Sequence, residues 1–140
     1  MRYHCPSNLT SLSWHYDGKQ FITGHQDGSI SIWSRGSEKP QSKYYPHAPE
    51  QPNTTAAYPG TRLSPITNLS WSKSGSDSLI IFSGGLTAER TAVTVMRGKA
   101  VAILELDYVI ISILPMLKSP WECDVPSPGE IFVLLGLTPF

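Results

Sequence analysis

The amino-acid sequence predicts an all-β fold built from antiparallel meanders, and three observations carry that prediction. Short runs of alternating apolar and polar residues recur along the 140 residues, as half-buried strands require. Tight-turn dipeptides, Asp17-Gly18 and Asp27-Gly28 foremost, separate these runs. A Leu-Ser-Trp strand ending occurs twice, at Trp14 and at Trp71, 57 positions apart. No stretch keeps a 3.6-residue period long enough to predict a helix.

Taken in order, Leu9 to Trp14 alternates as a strand, Asp17-Gly18 turns the chain, and Gln20 to Gly24 returns. Asp27-Gly28 turns it again before Ser29 to Trp33. Glycine supplies the positive φ of such turns, and the Asp side chain bonds nearby backbone N–H groups. The texture changes from Arg35 to Ser64, which holds five prolines and little aliphatic content. Within it, Ser42 to Tyr45 is the one candidate edge strand; the remainder is predicted as an excursion from the blade, mobile from about 48 to 61. The meander restarts with Pro65 to Trp71, turns at Ser74-Gly75, and returns through Ser78 to Phe82 to a Ser83-Gly84-Gly85 stop. Ala92 to Met96 and Ala100 to Leu106 follow, split by Arg97-Gly98-Lys99. Val109 to Leu114 opens a third unit, Pro120 to Gly129 is a loop, and Ile131 to Leu135 is expected as a last, buried strand.

Hydrophobic residues make up 40% of the chain and charged residues 16%, enough apolar content for a sizeable core. Eleven basic residues balance eleven acidic ones, so the basic excess of a nucleic-acid binder is absent. Cys5 and Cys123 stand far apart, outside any metal-ligand or CxxC spacing. The first six residues lack the apolar stretch of a signal peptide. The most apolar run, Ala100 to Leu117, is interrupted by Glu105, Asp107 and Pro115. A charge near a bilayer centre costs about 3 kcal/mol on insertion scales, so no membrane span is expected. A soluble cytoplasmic protein is the expectation.

The first unit is the most specific: an apolar strand ending at Trp14, a turn at Asp17-Gly18-Lys19, a second strand, a turn at Asp27-Gly28, and a closing Trp33. That order resembles a WD repeat, whose period is roughly 40–45 residues. The longer spacing here falls on the proline-rich excursion. The resemblance implies β-propeller blades of four antiparallel strands, about two and a half of them. The expected division is a blade over 8–47, a proline-rich insertion over 48–64, a second blade over 65–107, and a partial third blade with a shortened end over 108–140. Trp14, Asp17, Gly18, Asp27, Gly28, Trp33, Trp71, Gly84 and Gly85 are the residues of the repeat pattern, with Trp33 expected to fill space between neighbouring blades. Two and a half blades cannot close a ring, which leaves unpaired edges. Cooperative folding is therefore expected within a longer protein or an oligomer; a sharp thermal transition from a monomer would count against that.

Single residues with a chemical look have plainer readings. His4 beside Cys5 lacks an acidic orienter and is read as incidental. Gly24-His25 matches a dipeptide of WD repeats but sits in the second strand, so it is read as coincidence. Asn8, Asn53 and Asn68 satisfy glycosylation sequons, two of them in strands and none behind a secretory signal. Glu105 and Asp107 are expected to share a solvated strand face. Gly84-Gly85 is not followed by a phosphate-cradling Gly-Lys-Ser pattern. No catalytic, cofactor-binding or metal-ligating residue is assigned.

With the second unit included, the chain resembles the lethal giant larvae and tomosyn family. Trp14 to Trp33 fits that family's first repeat, and the match continues in Lys39-Pro40, Pro46-His47 and Ile80 to Leu86. It runs on through Val93 to Lys99, with Arg97 where the family has His, and through Ala102 to Tyr108. Residues 48–64 keep little of the pattern, and Gly136 to Phe140 ends the chain where the family continues. That ending is expected to be a truncated or alternatively spliced product, and of the two branches lethal giant larvae fits better.

The resemblance implies a non-enzymatic scaffold in a large cytoplasmic protein of two stacked propellers at the cell cortex, with peripheral association to the plasma membrane. It implies syntaxin-class t-SNARE binding in exocytosis, and polarity roles with non-muscle myosin II and the atypical protein kinase C complex. The kinase-targeted basic loop and the SNARE-like tail of tomosyn lie outside this segment. Propellers bind through rim loops with aromatic and Arg anchors. Tyr44, Tyr45, Tyr58 and Arg62 are accordingly the candidate partner-binding residues. The alternatives are a regulator of a Rab-type GTPase, for which no Arg is placed as a catalytic finger, and a generic WD-repeat adaptor.

Overall fold

A computed structural model describes residues 2–5, 7–47, 63–74, 76–87, 90–117 and 128–139. Those residues form ten strands: β1 (Leu9–Trp14), β2 (Gln20–His25), β3 (Ile30–Ser34), β4 (Ser42–Tyr44), β5 (Thr67–Ser74), β6 (Asp77–Ser83), β7 (Ala92–Arg97), β8 (Ala100–Glu105), β9 (Tyr108–Leu117) and β10 (Pro128–Pro139). They build two four-stranded sheets, β1-β2-β3-β4 and β5-β6-β7-β8, and a two-stranded sheet of β9 and β10. Every pairing is antiparallel between sequence neighbours, so local turns suffice to fix the topology. The predicted all-β architecture of partial propeller blades is the one observed.

Register makes the first two sheets superposable in pattern. Trp14 pairs with Phe21 and Phe21 with Trp33, while Thr23 sits opposite Ser31. In the second sheet Trp71 pairs with Ile80 and Ile80 with Met96, while Phe82 sits opposite Thr94. Trp14 thus corresponds to Trp71, Phe21 to Ile80, Thr23 to Phe82, Ser31 to Thr94 and Trp33 to Met96.

Because side chains alternate across a strand, each sheet has two faces with separate fates. Ile22, Ile30, Ile32 and Tyr44 of the first sheet pack against Ile66, Leu69, Trp71, Ile80, Phe82 and Met96 of the second unit. The opposite face of the second sheet, with Leu79, Ile81, Val93 and Val95, packs against Ile110, Ile113, Ile131 and Val133 of the hairpin. Full burial of one such aliphatic or aromatic side chain contributes roughly 1.5–3 kcal/mol. Close approach of the first two sheets needs Gly24, where a Cβ would lie 2.6 Å from Ile66 Cγ2. Polar bonds supplement the packing: Thr10 and Ser11 hydroxyls donate to the Ile66 carbonyl, at 2.5 and 3.0 Å, and the Trp71 N–H donates to Ser13 Oγ at 3.0 Å.

Two expectations need correcting. Ile131 to Leu135 is not a buried strand: β10 alternates, and Phe132 and Leu134 are exposed because no sheet covers that side of the hairpin among the described residues. Glu105 and Asp107 do not share a strand face, since β8 ends at Glu105, which instead pairs with Arg90. Trp33 lies on the face of the first sheet turned away from the second, stacked on Phe21 at 5.7 Å with Tyr3 edge-on at 5.7 Å. Tyr3 of the N-terminal segment packs on it there. The Ser74-Gly75 turn lies partly, and the Pro120 to Gly129 loop mostly, outside the described residues, as does Cys123.

Candidate functional site

The rim residues nearest the start of the proline-rich excursion gather on one carboxylate. Asp27 lies in the turn between β2 and β3, where Gly28 has φ 81°. Its Oδ1 accepts from the Ser29 N–H at 3.1 Å and the Ser29 hydroxyl at 2.5 Å. Its Oδ2 accepts from Lys43 Nζ at 3.0 Å and the Tyr45 hydroxyl at 3.1 Å. Burial alone would raise the carboxyl, but these donors and the Lys43 charge hold it well below the usual carboxylate range. Burial lowers Lys43 in turn, and the Asp27 bond more than offsets this, so its ammonium titrates above the ordinary lysine value. Lys43 also lies over the Tyr45 ring, 5.5 Å from its centroid. The cluster fixes the end of β4 and the direction in which the chain leaves the blade.

Of the four candidate partner-binding residues, Tyr44 and Tyr45 are described; Tyr58 and Arg62 lie outside the described residues. Tyr44 pairs with Ile30 and shares its inward face, so its ring packs between the first two sheets and burial raises its phenol. Tyr45 stands in the rim cluster.

The repeat-pattern residues take up structural positions. Asp17 accepts from the Lys19 N–H at 2.8 Å, and that bond, with His15 beside it, lowers its carboxyl. Gly18, with φ 68°, closes the same turn. Trp14 tilts on Phe21 yet is 51% exposed, whereas its counterpart Trp71 is half-buried with His15 edge-on at 4.5 Å. Gly84 has φ 90°, and a Cβ there would overlap the Pro65 carbonyl, so no other residue fits without backbone movement.

His25, read from sequence as a coincidental match, centres a buried network. Trp33 Nε1 donates to Thr23 Oγ1 at 2.8 Å; His25 Nε2 lies 2.9 Å from Thr23 Oγ1 and 3.0 Å from Ser31 Oγ. His25 Nδ1 lies 3.2 Å from the Ser7 carbonyl. A carbonyl can only accept, so Nδ1 carries the proton, and the single Nε2 lone pair of the neutral imidazole is shared by the Thr23 and Ser31 hydroxyls. Burial lowers its pKa, and the Ser7 carbonyl and the Asp27 charge offset part of that. A second histidine was likewise missed. His47, beyond β4, reaches Thr94 Oγ1 at 2.9 Å and lies against Phe82, and burial then the Arg90 charge lower its pKa. Its sequence signal was the Pro46-His47 pair, which carried no hint of a partner 47 residues away.

Among the described residues no three His, Cys, Asp or Glu side chains could hold a metal ion, and no helix is long and apolar enough to cross a membrane. A cavity of about 380 Å³ opens on the outer face of the first sheet, between Tyr3, Leu12, Trp14 and Phe21. Among the described residues the arrangement is a stack of sheets with a polar rim and an apolar outer face on the first sheet.

Stacked four-stranded meanders with these turns define a segment of a WD-repeat β-propeller, and a model of the WD domain, G-beta repeat, matches residues 1–34. A family model described as LLGL2 matches residues 54–137, and the chain belongs to this lethal giant larvae family. It is similar to mouse Lethal(2) giant larvae protein homolog 1, 30% identical over 133 residues, 91% of this chain and 12% of that protein. It is similar as well to zebrafish LLGL scribble cell polarity complex component 2, 34% identical over 132 residues, again 91% of this chain and 12% of that protein. The chain thus spans about an eighth of the length of these relatives.

Proposed function

We propose that the chain is a non-catalytic protein-binding scaffold of the lethal giant larvae kind, acting in cell polarity. Membership of the family over residues 54–137 is the observation that carries this reading, and the zebrafish relative's name ties that relative to a polarity complex. The finer reading is binding of a syntaxin-class t-SNARE in exocytosis, with non-muscle myosin II and the atypical kinase C complex as further partners at the cell cortex. Support for a rim site comes from the Asp27–Lys43–Tyr45 cluster, which holds the residues that follow β4 against the β2–β3 turn. We further infer that residues 8–47, 65–107 and 108–140 act as separate blade units, with 48–64 as the insertion that reads the partner.

The test is a pull-down of the full chain against the helical domain of a syntaxin-class t-SNARE, beside a Tyr58→Ala/Arg62→Ala variant. Retention by the parent and its loss in the variant is the expected result. Equal retention by both removes the insertion from the contact, and no retention by either removes the exocytosis reading.

A further inference from the structure

The outer strands of the two blades are finished differently. β4 is three residues long, carries Lys43, and is bracketed by Pro40 and Pro46. Shortness, a lysine and flanking prolines each discourage a further strand from pairing there. β8, the last strand of the second sheet, has none of these protections. Its six residues, Ala100–Glu105, are all exposed, with Val101, Ile103 and Leu104 at 50%, 42% and 57%, and Glu105 is its one charge. The sheets stack through their faces, and β1, β5 and β9 lie along one side of the stack. β8 stands on the opposite side, so blades that extend the stack at either end do not lie along its edge.

That edge has a defined hydrogen-bonding pattern. The Leu106 N–H donates to the Thr91 carbonyl at 2.8 Å, in the register that pairs Ala100 with Arg97. Backbone groups alternate sides along a strand, so Ala100, Ala102 and Leu104 bond to β7. Val101, Ile103 and Glu105 turn their N–H and C=O groups away from it, where no strand pairs among the described residues. An antiparallel partner must set outward-facing groups of its own against these. β8 meets that requirement with itself. With Ala102 on a two-fold axis, Val101 falls opposite Ile103 and Ala100 opposite Leu104, each pair sharing a face. The same register brings Lys99, in the turn before β8, to Glu105 of the other copy, twice over. The next allowed registers set Glu105 opposite Val101 or beyond the end of the partner strand. Glu105 already pairs with Arg90 at the surface, and a carboxylate has room for a second donor.

We propose that β8 is a self-association edge, through which two copies of the chain pair antiparallel over Ala100–Glu105 and join their second sheets into one. The contact is isologous and closes at two copies. This inference does not depend on any t-SNARE or polarity partner.

Sedimentation velocity of the full 140-residue chain across a concentration series tests it. The wild-type mass is expected to reach that of two chains. Ile103→Pro removes an outward N–H and spares every bond to β7, so it should remain a monomer with an unchanged far-UV circular dichroism spectrum. Lys99→Glu and Glu105→Lys each set like charges opposite one another in two places and should raise the dimer dissociation constant about tenfold. An equimolar mixture of these two restores both opposite-charge pairs between unlike copies and should regain the wild-type constant. A wild-type monomer at every concentration overturns the proposal, as does assembly that a folded Ile103→Pro leaves intact. Where Ile103→Pro fails to fold, the charge variants decide: a mixture that associates no better than either variant alone overturns the proposal.

Discussion

Ser31 in the first sheet and Thr94 in the second occupy the same register position, and each is a fully buried hydroxyl with a histidine on it. The histidines arrive by different routes. His25 comes from β2 itself, two residues beyond Thr23, and ties its strand to β3 and to the Ser7 carbonyl. The matching place in the second sheet is Gly84, where no side chain fits. Beside it, a Cβ on Gly85 would lie 3.4 Å from His47 Cδ2. The glycine pair leaves room for a histidine delivered from the preceding connection. One blade is thus locked from within, and the other is locked to the chain that enters it. A buried hydroxyl must be satisfied in both, because an unpaired one costs about 1–3 kcal/mol, but the fold does not dictate which segment supplies the partner.

The largest expected effect separates the two blades by their third strands. Trp33 is fully buried and anchors the Thr23 hydroxyl, while its counterpart Met96 is half-buried and has no polar link. Trp33→Ala should cost about 3–5 kcal/mol, the usual range for deleting a buried aromatic, and Met96→Ala clearly less. Urea midpoints at one fixed protein concentration check this; equal losses would mean the first blade gains nothing from its network.

Next in size are the histidines. His25→Ala orphans the Ser31 hydroxyl and leaves Thr23 only its bond from Trp33, at an expected cost of about 2–4 kcal/mol, whereas His47→Ala orphans Thr94 alone and should cost about 1–3 kcal/mol. Both imidazoles titrate below the ordinary value in the folded chain. The unfolded chain therefore takes up protons first as pH falls through about 6.5. Their stabilisation is complete above that pH and is lost progressively below it, down to the folded values. Thermal midpoints from pH 7.5 to 5 should decline, and each alanine variant should flatten the decline; an unchanged slope in both would sink the assignment of neutral, buried imidazoles.

What could be read beforehand follows the range over which each signal acts. Asp17-Gly18 and Asp27-Gly28 are contained within four or five residues, so their turns and the strands they join were legible. Leu12-Ser13-Trp14 and Leu69-Ser70-Trp71 gave the repeat for the same reason. The roles of His25 and His47 were not legible, because they depend on register between strands and on a bond spanning 47 residues. Exposure of Phe132 and Leu134 was misjudged because alternation tells which residues share a face, never what lies opposite it. Tyr44 and Tyr45 are adjacent, yet pleating turns one ring into the core and the other to the rim, a division the sequence pattern of an edge strand leaves open.

Between those extremes lies the rim. Asp27→Asn keeps the shape but weakens the bonds from Lys43 and Tyr45, the charged one most, and half-exposed ion pairs contribute little. A loss of about 1 kcal/mol is expected, with faster proteolysis after β4 as the sharper readout. No change in either would mean the cluster does not hold the exit of the blade.

The smallest effect is expected at Trp14, and it is the most informative about the comparison. Trp14 and Trp71 end the same Leu-Ser-Trp motif, but Trp71 has the first sheet against it and Trp14 has solvent. At concentrations where the chain is a monomer, Trp14→Ser should shift the urea midpoint by no more than about 0.5 kcal/mol, as for other surface positions. Trp71→Ser should cost several times that, since it opens a gap between two sheets and cannot be refilled by water without wetting Ile80. If both substitutions cost the same, Trp14 must be covered within its own chain.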